Sequence, residues 1–110
     1  MKFSIQKTLK LVEKGNIVEI EFEPYYERLS EHTDKNDKYF GMGNVTRNKF
    51  RIRKNAWKDS KCKYNSQYLE THSNGSSYWI HVGCVRKGCI NHLKDIQKLK
   101  VINYKISSTW

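Results

Sequence analysis

Eight cations crowd residues 47–63: Arg47, Lys49, Arg51, Arg53, Lys54, Lys58, Lys61 and Lys63, opposed there by Asp59 alone. In an extended strand alternate residues share a face. Lys49, Arg51 and Arg53 would therefore project the same way about 6.6–6.8 Å apart, close to the phosphate repeat of a nucleic-acid strand. Trp57 lies inside the cluster, and Tyr64, Tyr68 and Trp79 follow it. Cationic surfaces with aromatic platforms hold single strands, the cations meeting phosphates and the rings stacking on bases. The expectation is a small basic, non-enzymatic module that binds nucleic acid, either RNA or a single strand. Its contacts would come from Arg47, Lys49, Arg51, Arg53, Lys54, Trp57, Lys58, Lys61, Lys63, Tyr68 and Trp79. No RNP, GXXG or helix-turn-helix pattern accompanies them. A basic face kept for solubility is the plain alternative. An interaction or inhibitor protein that docks an acidic partner through the same face is another.

A second group could do acid–base chemistry. Glu70, His72 and His81 belong to two adjacent strand-like runs, and a carboxylate paired with an imidazole can serve as general base and acid. With Arg53, Arg51 or Arg86 to stabilise a pentavalent phosphate, such a pair suffices for metal-independent RNA cleavage by the 2′-hydroxyl. A ribonuclease of toxin type, using Glu70, His72, His81 and Arg53, is thus the enzymatic alternative.

His81, Cys84, Cys89 and His92 place two thiols and two imidazoles within twelve residues, a ligand set that zinc favours. The spacing contains neither Cys-x2-Cys nor His-x3-His, and strand parity sends His81 and Cys84 to opposite faces. Packing roles for Cys84 and Cys89 are therefore expected, with no metal and no cofactor. Glu19, Glu21 and Glu23 alternate along one strand. They read as charges that discourage strand-to-strand association and partly neutralise the basic hairpin.

These residues must be positioned by a small set of elements. Ser4 can cap a first helix carrying Ile5, Leu9 and Val12, with Gly15 ending it. Val18, Ile20 and Phe22 alternate with glutamates in a strand that Pro24 stops. Residues 25–37 read as a loop and Tyr39–Val45 as a strand. Thr46-Arg47-Asn48 then makes a turn into a return strand carrying Phe50 and Ile52. A basic loop spans 54–61.

Residues 63–72 and 77–85 form a hairpin around Asn74-Gly75, the preferred type I′ pair. That turn places Leu69 opposite Ile80 and Gln67 opposite Val82 on a core face. Tyr68, Glu70, His72, Trp79 and His81 then share the wet face, with Glu70 diagonal to His81. A one-residue slip would exchange the two faces. Arg86-Lys87-Gly88 reads as a turn, followed by a helix capped by Asn91 with Leu93, Ile96 and Leu99 inward. Ile102, Tyr104 and Ile106 form the last strand. The fold class is α+β: a mostly antiparallel twisted sheet of about five to six strands, with an N-terminal helix and a second helix before the last strand.

The bulk properties agree with one basic domain over residues 1–110. The net charge of +10 is unevenly spread. Residues 1–38 hold eight acids against seven bases, whereas residues 39–110 hold fourteen bases against Asp59, Glu70 and Asp95. No apolar run approaches the roughly 20 residues of a membrane span, and Met-Lys-Phe-Ser-Ile-Gln-Lys lacks the apolar core of a signal peptide. The expected location is cytoplasmic, which suits an odd count of three cysteines. Nucleic acid or another polyanion is the expected partner.

Overall fold

The computed structural model describes residues 3–28, 44–55, 63–72, 75–83 and 86–110. The elements run α1 (Ile5–Glu13), β1 (Ile17–Arg28), β2 (Asn44–Lys54), β3 (Tyr64–His72), β4 (Ser77–Gly83), α2 (Arg86–Gln97) and β5 (Val101–Ser107). The strands form one antiparallel sheet in the order β4-β3-β2-β1-β5. The fold is α+β, with both helices feeding a single core on one face of the sheet. No helix among the described residues is long and apolar enough to cross a membrane.

Local chemistry explains α1 and β1. The Ser4 side chain accepts the Lys7 amide, and Gly15 leaves the helix at φ +97°, where a Cβ would be strained. Val18, Ile20 and Phe22 are fully buried beneath the helices, which turns Glu19 and Glu21 to the opposite face. Pro24 does not stop β1. It falls where the pairing with β2 is irregular, between Glu21 and Tyr25, and past the last β5 pair, Phe22–Val101. A missing N–H is tolerated there.

Besides the stop at Pro24 and the loop expected from residue 25, which β1 overruns as far as Arg28, three further sequence expectations are corrected. Thr46-Arg47-Asn48 is not a turn, because β2 runs unbroken from Asn44 to Lys54. Arg47 faces Glu70 and Lys49 faces Leu69, which leaves Asn48 as an extra residue, a bulge. The earlier part of the expected strand, residues 39–43, lies outside the described residues. Secondly, α2 starts at Arg86 instead of following an Arg86-Lys87-Gly88 turn. This brings Cys89, Leu93 and Ile96 onto one buried stripe at helical spacing.

Thirdly, the β3–β4 register is one residue away from that of a two-residue Asn74-Gly75 turn. Leu69 faces Trp79 and Tyr68 faces Ile80. The His72 amide donates to the Ser76 carbonyl and the Gly75 amide to the His72 carbonyl, closing three residues with Gly75 at φ +90°. The β3 faces therefore exchange, while on β4 Ile80 and Val82 stay inward and Trp79 and His81 outward. Tyr64, Ser66, Tyr68 and Glu70 are buried under the helices, while Leu69, Trp79 and His81 lie on the opposite face, which is helix-free among the described residues.

A Cβ at Gly75 would meet nothing within 4 Å, so a substitution there is felt through backbone conformation alone. Gly75→Ala is expected to lower stability by about 1–2 kcal/mol in urea denaturation with an unchanged circular dichroism spectrum. An unchanged midpoint would contradict the three-residue closure.

Candidate nucleic-acid interface

The helix-free face is built from two rows of side chains that cross the sheet. In one, Trp79 neighbours Leu69, then Lys49, Glu21 and Asn103. In the next, His81 neighbours Gln67, then Arg51, Glu19 and Lys105. A shorter row holds Ser77, Thr71, Thr46 and Tyr26, a residue 83% exposed.

Arg51 lies at the centre. Its Nε and Nη2 donate to Gln67 Oε1 at 2.8 and 2.6 Å. Its guanidinium carbon lies 3.9 Å from the Trp79 ring centroid and 4.4 Å from that of Trp110. Arg53 reaches the same Trp110 ring at 4.4 Å. Desolvation pulls Arg51 down from the ordinary arginine range, Glu19 opposes that shift and Arg53 adds to it. The group stays charged, since no arginine in a protein gives up its proton at neutral pH. Across the row Lys105 Nζ meets Glu19 at 3.1 Å, so this carboxylate is already paired.

Trp110 was not anticipated from the sequence. It stands three residues past β5, where strand parity predicts nothing. It is brought back by a short turn in which Ser107 Oγ donates to the Thr109 carbonyl and accepts the Thr109 amide.

The expected contact residues are divided between the two faces. Lys49, Arg51, Arg53 and Trp79 share the open face. The bulge at Asn48 sends Arg47 to the helix side, where its Nε and Nη2 donate to Glu70 Oε2 at 2.8 and 2.6 Å. Tyr68 is no stacking platform. It is 2% exposed and packs against Phe50 and His92 with ring centroids 5.0 and 5.3 Å away, with the Arg47 guanidinium 4.6 Å from its own centroid. Lys54 points to the helix side, 3.8 Å from Glu13, and Lys63 is exposed just before β3. Trp57, Lys58 and Lys61 lie outside the described residues.

The acid–base group is also split. Glu70 is 3% exposed and committed to Arg47, and His72 packs on Tyr78 with ring centroids 5.6 Å apart. His81 and Arg53 are on the opposite face, so the expected Glu70–His81 diagonal does not form. Of the four residues with a zinc-like ligand set, Cys84 lies outside the described residues, and Cys89 is buried with its Sγ 3.3 Å from the Ser66 hydroxyl. His81 and His92 occupy opposite sides of the sheet. Among the described residues no three His, Cys, Asp or Glu side chains gather as metal ligands would.

The helix-side polar group is electrostatically self-contained. Burial pulls Arg47 down, but hydrogen bonds to Tyr25 and Glu70 and the Glu70 charge outweigh it and raise the guanidinium. Burial pushes the Tyr68 phenol well above its ordinary range. Its hydroxyl lies 3.3 Å from His92 Nδ1. Burial lowers His92, against the Val82 carbonyl and Asp95, which raise it, while Arg47 adds to the lowering.

Comparison with protein-family models, with curated proteins and with solved structures returned no match to this chain.

Removing one member of the buried pair leaves the other uncompensated. Glu70→Ala should cost about 3–5 kcal/mol in denaturant unfolding, whereas Arg47→Met with Glu70→Leu should cost much less. Equal losses would contradict the pairing. His92 has its folded pKa below the unfolded value of about 6.5. Below that value the unfolded chain takes up the proton first, so stability is full above it and falls as pH drops through the lowered folded pKa. His92→Gln should flatten that part of the stability profile, and an identical acid slope would show that His92 does not carry it.

Proposed function

We propose that the helix-free sheet face binds single-stranded nucleic acid without cutting it. One observation carries this reading: Lys49, Arg51 and Arg53 stand on one face beside the Trp79 and Trp110 indoles, with no helix among the described residues covering them. Charges at strand spacing suit phosphates, and indoles suit unpaired bases of any sequence, each stacked base contributing about 1–3 kcal/mol. Exposed Tyr26 extends the platform along β1. Glu19 and Glu21 lower the net charge, so stacking carries a larger share of affinity here than on a purely cationic surface. The Glu70–Arg47 pair holds its carboxylate in the core, away from any ligand on the open face, and this favours binding over catalysis.

The reading is tested by fluorescence anisotropy with a labelled single-stranded oligonucleotide across salt concentrations. Affinity should fall with salt, and Lys49→Ala or Arg53→Ala should each lower the log–log slope by about 0.7. Trp79→Ala should weaken binding by about 1–3 kcal/mol with little change in slope. No detectable binding of RNA or DNA at roughly 50 mM salt would overturn the proposal.

A further inference from the structure

The helix side of the sheet carries a second charged feature, a groove of about 620 Å³ between α1 and the start of α2. Leu9, Lys10 and Glu13 of α1 and its C-cap Lys14 line it, together with Tyr64 of β3 and Arg86 of α2. A space of this size accommodates a ligand as large as a mononucleotide. Its charge is lopsided, with three cations on the wall, Lys54 Nζ 3.8 Å from Glu13, and a single carboxylate.

That carboxylate is already engaged. Glu13 Oε1 accepts the Tyr64 hydroxyl at 2.5 Å, and Arg86 hydrogen-bonds the same hydroxyl. Among the described residues neither Lys10 nor Lys14 has an ion-pair partner. Lys10 and Lys14 complement the negative end of α1, so fold stability accounts for them in part. The Tyr64 hydroxyl accounts for Arg86 only in part. Arg86 and Lys87 open α2 with no acid in the first turn, against the sense of the helix dipole.

We propose that this groove is a binding site for a phosphomonoester. The Arg86 fork and the Lys10 and Lys14 ammonium groups take the phosphate oxygens. Glu13, held by Tyr64, keeps acceptor capacity for a sugar hydroxyl, and Leu9 supplies an apolar wall. The ligand is either a free nucleotide or the phosphorylated end of a strand, and the chemistry recognised is the same. The site lies across the sheet from Lys49, Arg51 and Arg53 and does not depend on what the open face binds.

Calorimetric titration of the full chain with a nucleoside 5′-monophosphate, and with the unphosphorylated nucleoside, tests it. Saturable binding of the nucleotide alone is expected. Arg86→Ala, and Lys10→Ala with Lys14→Ala, should weaken it by at least about tenfold. Lys98→Ala, near the other end of α2, should leave it unchanged. All of these side chains are exposed, so melting curves should stay close to the parent's.

Comparing 5′-phosphorylated with 5′-hydroxyl oligonucleotides identifies the source. A phosphorylated oligonucleotide that binds more tightly than both its hydroxyl form and the mononucleotide makes the strand end the ligand. Equal binding of mononucleotide and phosphorylated oligonucleotide makes it the free nucleotide. No saturation up to roughly 10 mM nucleotide, or parental affinity in both groove variants, would overturn the site.

Discussion

The arrangement of this protein depends on one extra residue in β2. Asn48 has no partner on β3, and its insertion rotates the chain between Arg47 and Lys49. Without it, Arg47 would share a face with Lys49, Arg51 and Arg53. With it, Arg47 turns under the helices and meets Glu70, whose side chain is 4% exposed. Straightening β2 would return Arg47 to the open face and strand a buried carboxylate, at a cost of about 3–5 kcal/mol. Bulges are commonly the device by which a sheet re-aims one side chain. Here that device separates a cation used for the fold from cations left on the surface.

Each face then has its own chemistry. On the helix side, Arg47, Glu70, Tyr25, Tyr68 and His92 satisfy one another in a core otherwise made of Val, Ile, Leu and Phe. No buried side-chain nitrogen or oxygen among the described residues lacks a partner. On the open side, the polar groups are arranged across strands. Gln67 orients Arg51, Arg51 stacks against Trp79 and Trp110, and Glu19 is shared with Lys105. An arginine fixed in this way loses less freedom when a ligand arrives, so its contribution to binding is less offset by ordering.

Much of the fold was legible because local signals and packing agreed. Ser4 and Gly15 bound α1, and the Val18, Ile20, Phe22 alternation gives β1 and its buried face. The site was less legible, for a specific reason. Which face a strand residue occupies is decided by parity, and parity is reset by single residues. Asn74-Gly75 supports a two-residue turn as readily as the closure at His72 and Ser76, yet the two differ in every face assignment of β3 relative to β4. That difference takes Tyr68 and Glu70 off the surface and leaves Trp79 and His81 on it. Thr46-Arg47-Asn48 has the composition of a turn, and only tertiary pairing makes it a bulge. Gly88 disguised the first turn of α2, although Cys89, Leu93 and Ile96 already had helical spacing. Trp110 carried no positional signal, because its place is set by the turn after β5.

The most direct test of this two-faced account is an amide and indole NMR titration of the labelled protein with a short 5′-hydroxyl single-stranded RNA. The account requires the largest shifts at Lys49, Arg51, Arg53 and the indole N–H groups of Trp79 and Trp110, with Arg47, Tyr68 and Glu70 little affected. Shifts concentrated on α1, α2 and the Arg47–Glu70 side, with the Trp79 and Trp110 indoles unmoved, would contradict it.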